Sequence, residues 1–453
     1  MLTLADILDR GARNPAPGPR GHPLLGSLPE VRRDPIRLFL ESFQRYGEVV
    51  RFHFGPMIAH LVSSPAGANH VLAENNKNYG KQTRGYRNLR YVLGNGLLTS
   101  EGEVWKRQRR IAQPAFHRQR IAGFGRTMVR AAEDAADSLS LRRGEILDLH
   151  QEMMRLTLRI VGETLLAYDP TNAADEVGAA LAYLLPLANE RSSRLFDVPP
   201  MFPTRENRKF RRALATLDSV VLQMIAERRK DPADRGDLLS MLIEARDAET
   251  GESMDDRQLR DEAMTILLAG HETTANALTY TFLLLSRYPA ALRELRAELS
   301  QVLGGRSPTV EDLPRLTLTR WTLQESMRLY PPAWVIARST NGADEIDGHE
   351  IPARSIVFVS PYVVHRHPRF WSDPEGFDPG RFAKEPQRGA YLPFGAGPRM
   401  CIGNAFASME AELVLATIAQ RIGFELVPGQ PLELEPSITL RPRHGLPMIL
   451  RRR

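Results

Sequence analysis

The chain has 453 residues, 42% hydrophobic and 25% charged, ordinary values for a globular protein large enough to bury a substantial core. Lys and Arg number 60 against 54 Asp and Glu, a formal net charge of +6, too thinly spread for a nucleic-acid binder and suited to basic patches facing an acidic partner. The single cysteine excludes an internal disulfide and fits a reducing cytoplasm; no run reaches the roughly 18 apolar residues of a membrane span, and the start, with Asp6, Asp9 and Arg10, is too short and charged for a signal peptide or anchor. A soluble, cytoplasmic protein is expected.

Pro15–Glu30 is rich in Pro and Gly and predicts an extended leader. A helix over Pro35–Tyr46 follows, then short strands at Val49–Phe54 and Ile58–Ser63. From Ser64 to Gly304 apolar residues recur at three- and four-residue spacing. The clearest helices there are Glu103–Ala112, Arg118–Ser138, Gln151–Leu166, Arg208–Arg229 and Asp256–Arg287, while Gly80–Thr99 and Leu195–Thr204 read as loops. A helix over Thr317–Leu329 runs into Tyr330-Pro331-Pro332, and β-like runs follow at Val335–Ser339, Glu345–Ile351 and Ile356–Val359. Arg366–Gly397 is irregular and dense in proline, a stretch that is costly to order unless it serves something. An apolar helix from Asn404 to Gln420 comes next. Without repeats or flexible linkers, the pattern predicts one mainly α domain over 1–453, a large helical region with a small β-rich lobe.

Residues 394–403 read FGAGPRMCIG. A lone cysteine is most often a small buried hydrophobe. Here Gly395, Gly397 and Gly403 permit a tight turn and close approach of the backbone to a flat ligand. Cys401 stands just ahead of a helix N-terminus, where free N–H groups and the dipole favour a thiolate. Phe394, Gly397, Arg399, Cys401 and Gly403 resemble the haem-binding signature of the cytochrome P-450 family, position by position. The resemblance runs from PGPRGHPLLG near the start to the last long helix. It implies the P-450 fold and haem b with Cys401 as axial thiolate. It further implies Phe394 packed on the sulfur and Arg399 paired with a haem propionate.

The middle of Asp256–Arg287 reads LLAGHETTANAL. Glycine in a helix costs about 1 kcal/mol against alanine, and buried hydroxyls need partners, which threonines can find in their own helix carbonyls. Beside Cys401, the run resembles the family's oxygen-binding motif. That implies a helix carbonyl displaced near Gly270 to make room for dioxygen, Thr273 as a hydroxyl donor there, and Glu272 as a relay of solvent protons. His271 has no role in that set.

Glu325 and Arg328 in ESMRLYPP are three apart and share a helix face. The resemblance implies that they pair with an arginine of the irregular segment and fix the haem-binding core. FDPGRF supplies Arg381, with Gly380 where the family usually has Glu. Trp105 and Arg109, four apart on one helix, and Arg338 stand where the family contacts the propionates. His365 and His367 read as loop residues, not a metal pair. The substrate pocket is expected from Leu89, Leu93, Leu97 and Leu98, from Leu184, Leu185 and Leu187, from Leu268 and Ala269, and from Ala333, Trp334 and Val335. Their apolar character suits a lipid, terpenoid or steroid-like molecule.

The resemblance implies a monooxygenase that inserts one atom of O2 into a hydrophobic small molecule. No flavin or ferredoxin sequence follows Arg453, so electrons are expected from a separate ferredoxin or flavodoxin-type donor with its NAD(P)H reductase. Lys106, Arg107, Arg110, Arg118 and Arg120 form the candidate docking cluster for that acidic protein. A hydroperoxide-using peroxygenase or isomerase on the same fold, or a non-catalytic haem sensor, are the other readings. Glu272 and Thr273 speak against both.

Overall fold

Asp34-Pro35 opens a helix for reasons written in the sequence. The Asp34 carboxylate accepts from the Arg37 amide at the N-cap, Pro35 occupies the first turn, and Ile36 and Phe39 recur on the buried side. The helix ends at Tyr46. The next residues, Val49–Phe54, form a strand buried at every position, paired antiparallel with Met57–Val62. The turn between them is Gly55-Pro56, with Gly55 at φ +60°, the glycine-first geometry of a tight hairpin.

The computed structural model describes residues 14–166, 174–194, 198–230, 237–247 and 249–452. The charged start and residues 195–197 of the second expected loop lie outside them. Contacts gather into two units, each built from separated stretches of chain.

The first unit comprises Met1–Tyr86, Met327–Gly376 and Phe382–Cys401. Its core is a five-stranded sheet in the order Val49–Phe54, Met57–Val62, Ile356–Val359, Ile336–Thr340, Tyr79–Gly80. Only the Met57–Val62 and Ile356–Val359 pair is parallel. Phe39 docks the Pro35–Tyr46 helix on the sheet, with its ring centroid 5.8 Å from Phe52 and 5.4 Å from Phe358. The leader lies along the first strand, where Arg51 N–H donates to Pro17 C=O at 2.9 Å. It ends sooner than expected, because Leu28–Arg33 is already helical. The expected run Glu345–Ile351 is a hairpin of two short strands, Asp344–Ile346 and His349–Ile351.

The second unit comprises Arg87–Ser326, Phe377–Arg381 and Ile402–Arg453. Asp256–Arg287 runs through it, capped by the Asp255 carboxylate and buried along most of its length. It packs against Leu149–Val161, Arg205–Lys230 and Asn404–Ala419. Asn404–Ala419 is buried almost all round from Phe406 onward, with Glu410 and Glu412 buried among its apolar residues. A three-stranded sheet of Ile146–Asp148, Pro447–Arg452 and Ile422–Leu426, and a hairpin of Leu434–Pro436 and Leu440–Pro442, complete the unit.

Two expectations need correction. Within the expected loop Gly80–Thr99, residues Arg84–Leu93 are helical. Asn88, Leu89, Val92 and Leu93 form a narrow buried stripe at helical spacing, which arginines on the other faces hide from a hydropathy reading. The single helix expected over Arg118–Ser138 is two, Arg118–Ala122 and Gly125–Leu141. At Gly123 and Phe124 the amides bond three residues back, to Arg120 and Ile121, and the tighter turn re-aims the chain.

Candidate haem-binding and proton-delivery site

In the first unit, Cys401 follows the short 3-10 turn Gly397–Arg399 and immediately precedes the second unit's Asn404–Ala419 helix. Its amide donates to the Phe394 carbonyl at 3.0 Å and closes the loop. Gly397 has φ +68°, and a Cβ there would lie 2.0 Å from the Leu72 carbonyl oxygen, so backbone passes backbone where a side chain has no room. Phe394 and Arg399 are half-buried, and Cys401 is exposed and forms no disulfide.

Arg338 supplies the strongest test of fit to a haem. It is 6% exposed, yet its Nη1 donates only to neutral oxygens, Ala337 C=O at 3.0 Å and Tyr86 Oη at 3.4 Å. No carboxylate among the described residues pairs with it. A buried guanidinium without a counter-charge is costly, and an acid group of a bound cofactor would offset that cost. An exposed cysteine at a helix start and an uncompensated buried cation, both in this unit, fit a haem with propionates.

Trp105 and Arg109 are half-buried on the Gly102–Ala112 helix of the second unit, and Arg109 Nε donates to Gln113 at 2.8 Å. Of the expected basic cluster, three members are neutralised: Lys106 pairs with Glu103 at 2.6 Å, Arg107 with Glu252 at 3.1 Å, and Arg110 with Asp247 and Glu249, both at 3.0 Å. The acidic turn lies more than a hundred residues downstream, out of reach of a local reading. Arg118 and Arg120 remain exposed, without an ion pair among the described residues.

Glu325 is fully buried and accepts from Arg381 Nε at 3.1 Å and from the Asp378 amide at 3.0 Å. Arg328, equally buried, donates to the carbonyls of His365, Pro374 and Gly376 at 3.0, 2.6 and 2.8 Å, and its guanidinium lies 5.2 Å from the Trp371 ring centroid. The two charges therefore organise the proline-dense segment through its backbone. Gly380 is exposed, and a Cβ there would meet only Asp378 Oδ1 at 3.1 Å, so its departure from the family pattern leaves the Arg381 contact intact.

His365 is more than a loop residue. It is fully buried, Nε2 accepts from the Leu392 amide at 2.7 Å, and Nδ1 reaches the Arg328 carbonyl at 3.3 Å. Burial, with Arg328 beside it, pushes its pKa down to about 3, so it is a neutral strut. His367 bonds Glu48 at 2.9 Å. No cluster of three metal-ligating side chains occurs among the described residues.

On the second unit's central helix, Asp256–Arg287 runs without a break through the motif. Thr273 donates to Ala269 C=O at 2.7 Å and Thr274 to Gly270 C=O at 3.2 Å. A Cβ on Gly270 would lie 3.1 Å from Val161 Cγ2, so the glycine serves close packing with the Leu149–Val161 helix. Ile266 and Thr273 are half-buried and Ala269 exposed, an open stripe on an otherwise buried helix. Leu268 is buried. Glu272 is 4% exposed, and burial raises its pKa while Thr439 and Arg441 act against the rise. His271 is buried with Nδ1 on the Leu267 carbonyl at 3.1 Å and its pKa pushed down to about 4 by burial.

Of the expected pocket residues, Ala333, Val335, Leu97 and Leu98 are half-buried, and Leu89, Leu93, Leu184, Leu185 and Leu187 are buried. Trp334 is a core residue, its ring 6.2 Å from Phe39 beside the sheet. A sequence reading had no signal for Tyr86 beside Arg338 or for the contact of His365 with Leu392, because these partners lie far along the chain.

The family model "Cytochrome P450" matches residues 16–446 and so spans both units. Cyclooctatin synthase of Streptomyces melanosporofaciens is 40% identical over 431 residues, 93% of this chain and 92% of the relative. Cyclooctat-9-en-7-ol 5-monooxygenase of the same organism is 39% identical, covering 91% and 90%. Pentalenene oxygenase of Streptomyces avermitilis is 33% identical, covering 88% and 89%. Among solved structures, the cytochrome P450DA haem domain superposes with a TM-score of 0.88 at 28% identity, covering 97% of this chain and 98% of that one.

Proposed function

The chain belongs to the cytochrome P450 family, and from that premise we propose that it oxygenates a terpenoid hydrocarbon or terpenoid alcohol. It has the P450 fold and is a haem-dependent monooxygenase, an oxidoreductase that uses O2, external electrons and a lipophilic substrate. The observation that carries the substrate class is the near-full-length identity of 40% and 39% to two relatives, one of which acts on cyclooctat-9-en-7-ol. Pentalenene oxygenase points the same way.

Haem b is the proposed group, with thiolate ligation from Cys401, the chain's one cysteine. Bound there, haem activates O2 for insertion of one oxygen atom into a C–H bond. Arg338 and Arg399, with Trp105 and Arg109, would hold the propionates, and Phe394 would shield the sulfur. Glu272 would pass protons inward, and Thr273, on the open stripe of its helix, would direct them. The half-buried Ala333, Val335, Leu97 and Leu98 would contact substrate. A ferredoxin or flavodoxin-type protein would deliver electrons, with Arg118 and Arg120 as the exposed cations available to it. No helix among the described residues is long and apolar enough to cross a membrane, which supports a cytoplasmic setting.

The test is a spectral-shift screen of terpene hydrocarbons, terpene alcohols, steroids and fatty acids, followed by product analysis with surrogate redox proteins and NAD(P)H. Terpenoids should shift the haem absorbance and yield oxygenated products. Turnover of fatty acids or steroids alone would replace the substrate class. In parallel, Cys401→Ser should abolish the red-shifted carbon monoxide band that reports a thiolate ligand.

A further inference from the structure

Glu272 is the end of a chain of hydrogen bonds. Its Oε1 accepts from the Thr439 hydroxyl at 2.8 Å. The same hydroxyl oxygen accepts from Asn276 Nδ2 at 3.1 Å, and Asn276 Oδ1 lies 2.9 Å from His150 Nε2. An amide oxygen only accepts, so the imidazole nitrogen facing it carries the proton. All three bonds thus point one way, from imidazole to carboxylate, and each polarises the next.

The placement comes from three elements of the second unit. Asn276 is one turn past Glu272 on the same helix face. Thr439 sits in the turn of the Leu434–Pro436 and Leu440–Pro442 hairpin, which the Arg441–Glu435 ion pair at 3.0 Å braces. His150 opens the Leu149–Val161 helix. Glu272, Asn276 and Thr439 are buried, and His150 is half-buried at the far end.

We propose that Thr439, Asn276 and His150 are positioning residues for Glu272, a one-way donor chain that holds its carboxylate ionised and in one orientation. The inference rests on the reading of Glu272 as the proton relay and extends it to residues 122 positions upstream and 167 downstream. An amide side chain does not pass protons, so the chain sets the charge and aim of Glu272 and is not itself the proton path. Burial favours the neutral form of Glu272, and the Thr439 donor opposes that. Arg441 favours its charge and Glu435 disfavours it, while Asp148, Glu435, Arg441 and His271 are the charged or titratable groups acting on His150. A tether that merely fastened the hairpin to the helix would need no such direction.

The experiment compares the haem-loaded wild type with Thr439→Val, Thr439→Ser, Asn276→Leu, Glu272→Gln and the Thr439→Val/Glu272→Gln double variant. Infrared difference spectra, with the Glu272 band identified by its loss in Glu272→Gln, report the carboxyl's titration midpoint without turnover. Thr439→Val should raise that midpoint by about one unit, a tenfold change in proton affinity. Thr439→Ser should restore it, and Asn276→Leu should raise it by less. In turnover, Thr439→Val should lower product per NAD(P)H several-fold, and the double variant should be no worse than Glu272→Gln alone. An unmoved midpoint in Thr439→Val, or losses that simply add in the double variant, overturns the proposal. If Thr439→Val does not fold, an unmoved midpoint in Asn276→Leu does so. Wild-type coupling in Glu272→Gln would instead remove the proton-relay reading, while the midpoints still decide what positions the carboxylate.

Discussion

Thr273 gives its hydroxyl to the carbonyl of Ala269 at 2.7 Å, a bond that alanine would do without, being the better helix former. A local role and a catalytic role therefore separate cleanly. Thr273→Ala should load haem and bind substrate as the wild type does, yet return several-fold less product per NAD(P)H and more hydrogen peroxide. Thr273→Ser should keep most of the coupling. Product, peroxide and NAD(P)H measured together decide it, and equal coupling in wild type and the alanine variant would assign Thr273 to packing. The residue types of this motif were legible as a contiguous string, since a glycine, an acid and paired hydroxyls do not belong in an apolar helix interior. That Gly270 meets Val161, and Glu272 meets Thr439, was not legible, because those partners come from other elements.

At the scale of elements, the end of Thr317–Leu329 and the proline-dense segment after Arg366 depend on each other. Spacing placed Glu325 and Arg328 on one helix face, but the targets of Arg328 are main-chain carbonyls, which carry no sequence signature. Arg328→Ala leaves those carbonyls without their buried donor, a loss of about 3–5 kcal/mol. Little haem-loaded protein should be recovered. Arg328→Lys should not rescue it, because one ammonium cannot reproduce a fork that spans three acceptors. Normal haem content in either variant would contradict this account. The cysteine loop offers a milder test. Gly397→Ala forces a Cβ onto the Leu72 carbonyl at a positive φ, strain worth about 1–3 kcal/mol, readable as a lowered Tm of the haem-loaded protein. An unchanged Tm would mean that the loop yields freely.

Taken whole, the molecule buries titratable groups of both kinds. Burial raises the carboxyls of Glu262 and Glu412 to about 7 and that of Glu410 well above its ordinary 4.5. Folded, these groups keep protons that the unfolded chain releases near 4.5, so their contribution is lost as pH rises from about 4.5 through 7. His60, His271 and His365 are pushed down to about 3, 4 and 3, and the unfolded chain takes up their protons near 6.5. Their contribution is lost as pH falls below about 6.5. The two sets oppose each other between about 4.5 and 6.5, so stability should be greatest on that mildly acidic plateau and fall from there toward alkaline pH. Glu410→Gln isolates one group: its Tm advantage over wild type should widen as pH rises from 5 to 8. A constant difference would mean that Glu410 is not held neutral by the fold.

The sequence by itself determined whatever lies in one contiguous window: the glycine-rich cysteine loop at 394–403, the glycine, acid and threonines of the 267–278 run, the strand pair after Tyr46, and the long helices with an apolar stripe. The bounds of Asp256–Arg287 and Thr317–Leu329 were both readable from the 3.6-residue period alone. The tertiary structure decided the rest. It turned part of an arginine-rich loop into the Arg84–Leu93 helix, withdrew Arg107 and Arg110 from the expected docking cluster, moved Trp334 into a core, and made His365 a neutral strut. It also led Glu272 through Thr439 and Asn276 to His150. Periodicity records which face of an element is apolar. Which polar groups meet across distant elements depends on packing, and no local stretch of sequence contains that information.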